Sequence, residues 1–282
     1  MGLMLFPLLA LLMEPGPVQA QAGTPEENRE IVRKAVELLE EADKHWARLF
    51  FLRRREVQEF DASGQSRSKE STTVRREPFE EVVITRLIAR NDQPLTEAER
   101  AKQEEAIRAD VARVRRERQK NPQKQVNGAS RLSEYAEAMR EFAAAMEFRS
   151  AGEESVEGRK AWVFDFSPRP GYRASGMKVK VMEKLRGKVW IDKASNEVVR
   201  ADVEVFEQVN MAFGLVGRVG KGTTFEMQRR EVAPGMWMPV KQRAKLEARL
   251  LLVKSYRQEV DVKWAEYRVR PETADKMAER RN

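Results

Sequence analysis

From Arg186 to Val269 the chain writes apolar and charged residues alternately, one run after another, with turn residues between the runs. In Glu197–Val209 the residues Val199, Ala201, Val203, Val205 and Val209 fall on one side. Arg200, Asp202, Glu204 and Gln208 fall on the other. Successive side chains of a strand point to opposite faces, so a period of two prescribes one buried and one wet face. The pattern predicts a large, curved, one-sided antiparallel sheet able to enclose apolar material. The strands expected here are Gly187–Asp192, Glu197–Val209, Thr223–Val232, Met236–Val253 and Ser255–Val269. Periodicity names an architecture and no chemistry.

Upstream, Glu26–Trp46 reads as an amphipathic helix, with Thr24 as N-cap and Pro25 at the first helical position. Its apolar stripe is Ile31, Ala35, Leu38, Leu39, Ala42 and Trp46. Arg48–Glu77 predicts a hairpin turning at Asp61-Ala62-Ser63-Gly64. Glu81–Ala89 is a third strand, broken by Asn91-Asp92-Gln93-Pro94. Thr96-Glu97-Ala98-Glu99 resembles a capping box that opens a long, highly charged helix, Glu97–Lys120. A second, greasier helix is expected over Ser130–Met146, so a helical insertion occupies about residues 96–146. Strands resume at Glu147–Glu153 and Arg159–Pro168, followed by a basic loop, Arg169–Leu185.

Leu3–Met13 is an apolar run of signal-peptide length, and Ala20-Gln21-Ala22 supplies small residues at a peptidase site, although no Lys or Arg precedes the run. Residues 1–22 are therefore expected to be a signal peptide and 23–282 a single domain. Export points to a periplasm. The chain has no Cys, which excludes disulfides and a lipidated N-terminal cysteine. Its net charge of +8 favours anionic partners, and in an exported protein these are membrane surfaces rather than nucleic acid.

The chemistry-bearing motifs fail one by one. Gly217-Arg218-Val219-Gly220-Lys221-Gly222-Thr223 lacks the first P-loop glycine, since Leu215 stands there, and lacks the hydroxyl after the lysine. It reads as a glycine-rich hairpin turn. His45 is the single histidine, so neither a His/Cys zinc site nor a histidine-activated nucleophile can be assembled. Asp165, Asp192 and Asp202 lie on or near strands, where carboxylates on a wet face are ordinary. No catalytic residue, metal or cofactor is expected. Arg53-Arg54-Arg55 is different, because alternation sends at least one guanidinium to the inner face beside Phe50, Leu52 and Phe60. Either the strand end emerges into solvent there, or an arginine sits at a cavity mouth and meets a helix lid or an anionic head group. The basic loop offers the same pair of readings, solvated surface or contact with anionic lipid.

The segment Gly158-Arg159-Lys160-Ala161-Trp162-Val163-Phe164, then Gly187-Lys188-Val189-Trp190-Ile191-Asp192, then Val198-Val199-Arg200-Ala201-Asp202-Val203-Glu204 resembles the central strands of the LolA-like periplasmic lipoprotein carriers. There the progression is G-R-x-A-Y-V, G-x-x-W-I-D, V-V-R. The resemblance implies an unclosed half β-barrel of about nine to eleven strands, its concave face covered by the N-terminal helix and the mid-chain helical pair. It also implies a monomeric, non-enzymatic binder of lipid or of lipidated protein. Residues expected to line the concave face are Trp162, Phe164, Phe166, Val203, Val205, Phe225, Met227, Leu246, Leu250, Val260, Val262 and Trp264. They form either an apolar trough or a filled core. In the second case the chain is an envelope interaction module that carries no lipid.

Overall fold

A computed structural model describes residues 23–61, 63–79, 82–120, 138–172, 182–211, 217–250 and 254–270. The expected signal peptide lies outside these residues. Helix α1 spans Pro25–His45, and a 3₁₀ turn, Trp46–Arg48, leads into β1 (Leu49–Phe60). Then come β2 (Ser66–Phe79), β3 (Val82–Arg90), β4 (Gln93–Pro94) and α2 (Glu97–Lys120). Residues 138–145 form α3, the described end of the helix expected from Ser130. β5 (Met146–Val156), β6 (Arg159–Pro168), β7 (Leu185–Asp192) and β8 (Val198–Val205) follow. The short β9 (Val209–Met211) and β10 (Gly217–Val219) precede β11 (Thr224–Ala233), β12 (Met236–Leu250) and β13 (Lys254–Val269).

One antiparallel sheet of 13 strands results, in the order β4-β3-β2-β1-β13-β12-β11-β8-β7-β6-β5, with β9 and β10 paired beside β12. The path is open at both ends, as in a half-barrel. The strand count exceeds the expected nine to eleven because β4, β9 and β10 are two or three residues long. A run that short carries no measurable alternation.

Strand pairing ties the faces together, since directly paired residues of an antiparallel sheet share a face. One row runs Phe148, Phe166, Gly187, Val203, Phe225, Ala244, Val260, Val57 and Glu70 across nine strands. α1 lies on this face, where Val32, Ala35 and Val36 pack with Phe148, Phe164, Phe166, Val189 and Ile191. Met139, Phe142 and Ala143 of α3 join them, and Phe142 meets Phe166 edge-on at 5.2 Å between centroids. The neighbouring row on the opposite face reads Arg149, Asp165, Lys188, Asp202, Glu226, Arg243, Asp261 and Glu56. That face is a ladder of charges in water.

Two corrections to the sequence reading have clear causes. The sheet is not one-sided throughout: Ala161, Val163, Trp190, Val199 and Trp237 form a second cluster on the outer face. Val199 turns outward because the pairing shifts between Trp190 and Ile191, opposite Arg200 and Val198, and this bulge breaks the alternation. On α1, Asn28, Val32 and Val36 are buried together with Ala35 and Ala42. The buried stripe is thus rotated about one position from the expected one, and Trp46 belongs to the 3₁₀ turn instead. Both helix starts hold as read. Thr24 and Glu27 exchange capping bonds of 2.8 and 3.2 Å, and Thr96 and Glu99 exchange bonds of 2.9 and 3.3 Å.

Helix α2 packs against β3 through polar contacts. β4 pairs only with Ala89 and Arg90, so the outer edge of β3 at Leu87 has no strand beside it. Gln103 takes up both backbone groups, accepting from Leu87 N–H at 3.0 Å and donating to its carbonyl at 3.0 Å. Glu104 pairs with Arg86, and Glu99 with Arg90. This explains how so apolar-poor a helix is held, and it caps an otherwise open strand edge.

Candidate functional site

The concave face divides into a packed part and a part whose apolar side chains are only partly buried. Under α1 and α3, Phe164 and Phe166 are 1% and 4% exposed, with Trp162 and Val203 packed at the cluster's margin and Val205 buried. Gly187 makes this packing possible, because a Cβ there would stand 1.9 Å from the Asp202 carbonyl oxygen and 2.8 Å from Phe166 Cζ. Three strands further along the row, Phe225 is 36% exposed, an unusual state for a phenyl ring in an apolar row. Met227, Leu246 and Val260 beside it are only partly buried.

Val262 and Trp264 belong to the far end of the face, where Trp264 packs with Leu49, Phe51 and Met238 beneath the end of α1. The Leu250 side chain lies outside the described residues. The register therefore brings eleven of the twelve expected residues to one face, but in two environments. Trp162, Phe164, Phe166, Val203 and Val205, with Val262 and Trp264 at the far end, are packed. Phe225, Met227, Leu246 and Val260 lie outside these clusters, Phe225 exposed and the other three partly buried.

The arginine run divides by alternation. Arg54 points outward and is engaged by Asp92 at 2.7 and 2.8 Å and by Glu56 at 2.9 Å. These carboxylates hold its pKa above the ordinary value, the hydrogen bond to Asp92 contributing most. Arg53 and Arg55 share the concave face with Phe51 and Val57, a correction to the sequence reading, since Phe50, Leu52 and Phe60 fall on the outward side with Arg54. Arg53 lies between Trp264 and Val74, and Arg55 between Val262 and Thr72. On the next strand Arg76 shares that face and donates to the carbonyls of Leu49 and Trp46 at 3.1 and 3.3 Å. Burial lowers its pKa.

Each of the three strand aspartates singled out in the sequence is engaged by a cation. Asp165 lies 3.5 Å from Lys188, and Asp202 receives both Arg200 nitrogens. Asp192 is buried and accepts from Arg159 at 2.8 and 2.9 Å and from the hydroxyl and N–H of Ser195 at 2.8 Å. Burial by itself would raise its pKa. The Arg159 and Ser195 bonds outweigh that and hold it at about 2. Among the described residues no cluster of three or more His, Cys, Asp or Glu is placed to hold a metal ion.

The Asp192 constellation gives an acid-stability prediction. Its folded pKa lies below the ordinary 3.8. The ion pair therefore stabilises the fold fully above about pH 4, and the contribution disappears as pH falls through about 2. The amount is about 2 kcal/mol. Urea unfolding at stepped pH should show the Asp192→Asn variant weaker than wild type at pH 6 and level with it near pH 2. An offset independent of pH would assign the residue a role other than this ion pair.

The outer face carries a cleft of about 610 Å³ between the β5–β6 turn and the β11–β12 hairpin. It is lined by Val156, Val199 and Trp237 with Arg159 and Arg230. Arg159 stacks on Trp237 at 5.0 Å while pairing with Asp192, and Arg230 pairs with Glu157 across the mouth at 2.6 Å. Its cations are thus already neutralised. Beside it lies the buried Arg229–Glu197 pair, at 2.7 Å. Nothing in the local sequence announces that pair, since its members are 32 residues apart, Arg229 within β11 and Glu197 in the turn that precedes β8.

No protein-family model matches the sequence, and no curated protein matches it. Among solved structures, a domain from Vibrio parahaemolyticus named for outer membrane lipoprotein sorting is similar at 10% identity. The match covers 84% of this chain and 93% of that one, with a TM-score of 0.33. A LolA superfamily protein from Nitrosomonas europaea is similar at 10% identity over 87% of this chain and 96% of that one, with a TM-score of 0.31. A DUF1329 family protein from Desulfovibrio piger is similar at 12% identity over 84% and 92%, with a TM-score of 0.28. At these values the likeness extends along the chains without fixing any residue correspondence. Among the described residues no helix is long and apolar enough to cross a membrane.

Proposed function

We propose that the protein is a non-enzymatic binder or carrier of acyl chains in the cell envelope, and that the less covered part of the concave face, around Phe225, holds the chain. One observation carries this reading: an apolar row that is packed solid under α1 and α3 continues past Val203 to a phenyl ring left 36% exposed. Partly buried apolar side chains on β12 and β13 flank that ring. Burying an acyl chain contributes about 0.8 kcal/mol per methylene, so a dozen methylenes supply on the order of 10 kcal/mol. A trough needs no further chemistry. The strand-motif resemblance to LolA-like carriers supports a cargo of lipid or of a lipidated protein, and the apolar run at the N-terminus supports export to a periplasm.

Phe225→Asp separates binding from folding, because the ring is exposed enough for a carboxylate to remain hydrated. Protein isolated from a bacterial envelope should release bound lipid under denaturing mass spectrometry and should take up a fluorescent fatty-acid probe. The variant should lose both, with its unfolding midpoint within a few degrees of wild type. Val205 is a poorer choice, since a charge at a 5% exposed position threatens the fold itself. The competing reading, an envelope interaction module with a filled core, draws on the packing beneath α1 and α3. Wild-type protein that carries no lipid and binds no probe would decide for it.

A further inference from the structure

We propose that the cargo is an anionic amphiphile, with its phosphate or carboxylate head group held by Arg53 and Arg55 and its chain lying across the strands toward Phe225. The inference rests on the acyl-binding reading above and adds the charge of the head group. Arg53 and Arg55 are alternate residues of β1, so they stand about 7 Å apart on one face. Their cross-strand neighbours, Trp264, Val262, Val74 and Thr72, carry no charge. Among the described residues no carboxylate lies within ion-pair distance of either guanidinium, and the shielded Arg53 Nε has no hydrogen-bond acceptor. The nearest carboxylate by register is Glu70, opposite Val57 and diagonal to Arg55; it is exposed and points to no ion pair with it.

The contrast with Arg54, one residue away and engaged by two carboxylates, marks the concave pair as cations left for something else. The shielded Arg53 Nε is costly to leave without an acceptor, and a bidentate oxyanion supplies what it lacks, with the exposed Arg55 beside it as a second donor. The path to the apolar part is continuous. The row from Val57 through Val260 and Ala244 to Phe225 crosses three strand spacings, about 14 Å, with no ionised group in it. Arg55 stands one pleat from Val57. A head group at Arg55 therefore places the start of a chain on that row.

The test compares two single-chain lipids of equal acyl length, lysophosphatidylglycerol and lysophosphatidylcholine, by titration at low and at 0.5 M salt. Wild type should bind the anionic lipid about tenfold more tightly at low salt, and the preference should shrink at high salt. Arg53→Gln/Arg55→Gln should abolish the preference while retaining affinity for the zwitterionic lipid. Phe225→Asp should weaken both lipids alike. Inorganic phosphate alone, at the same concentration, should not compete. Equal affinity of wild type for the two lipids overturns the head-group assignment and leaves the acyl trough standing. Strong competition by phosphate overturns it in favour of a free-anion site. Binding of neither lipid removes the trough and this inference together.

Discussion

Phe164→Ala should lower the free energy of unfolding by about 3–5 kcal/mol, whereas Phe225→Ala should cost about 1–2 kcal/mol. The two rings stand on neighbouring rows of one face and are equally apolar, so sequence gives no reason to separate them. Phe164 is 1% exposed and enclosed by α1 and the β5–β8 strands, so truncation removes contacts and leaves a cavity the rigid sheet cannot collapse. Phe225 keeps about a third of its surface in water and belongs to none of the packed clusters, so its truncation removes less burial and leaves no closed cavity. Urea unfolding followed by tryptophan fluorescence measures both. Similar costs for the two variants would mean that Phe225 is covered in solution, and the open trough would be lost as an idea. A stabilising effect of added lipid on wild type, absent from Phe225→Asp, is the complementary expectation.

The second large effect is expected at a polar position. Arg229→Met should destabilise the fold by about 3–5 kcal/mol, because it leaves the Glu197 carboxylate buried without its partner. The guanidinium donates to Glu197 at 2.7 Å, to the Val198 carbonyl at 3.2 Å and to the Trp237 carbonyl at 2.7 Å. It thereby joins the β7–β8 turn to the β11–β12 hairpin. Burial already raises the Glu197 pKa despite the opposing pull of Arg229. Without the arginine the carboxyl can take a proton instead, so the deficit should be smaller at pH 5 than at pH 8. Arg229→Met/Glu197→Leu should recover much of the loss, since an apolar pair of similar volume often replaces a buried ion pair at little cost. Equal stability of wild type and Arg229→Met at pH 8 would show the pair to be solvated.

Much of the fold was legible because its signals are local. The alternation in β8, β11, β12 and β13 pointed to the sheet and its inner face, and the Thr96–Glu99 box placed the start of α2 at Glu97. What stayed hidden depends on pairing. The three shortest strands exist only because a partner strand is present to receive them. Apolar residues on both sides of Ala161–Phe164 and Val189–Ile191 did signal two-faced burial, but that signal is weaker than the alternation around it. The bulge that sends Val199 outward is a property of the register with β7 and leaves no trace in β8 alone.

The candidate site divides in the same way. Alternation was enough to send Phe225, Met227 and Val260 inward with Phe164 and Phe166, because side-chain direction in a strand is set by covalent geometry. It was also enough to send Arg53 and Arg55 to one face and Arg54 to the other, given a starting face. Which of these apolar residues are covered, and which arginines find a carboxylate, depends on where α1, α3 and the β3–β4 turn come to rest. Asp92 reaches Arg54 across 38 residues of chain, and Phe142 reaches Phe166 from a helix 24 residues away. By itself the sequence determined a large antiparallel sheet with an apolar inner face, since periodicity is a local property of the backbone. Only the tertiary structure decided which part of that face is packed beneath α1 and α3 and which is left partly exposed, because coverage is set by packing between distant segments.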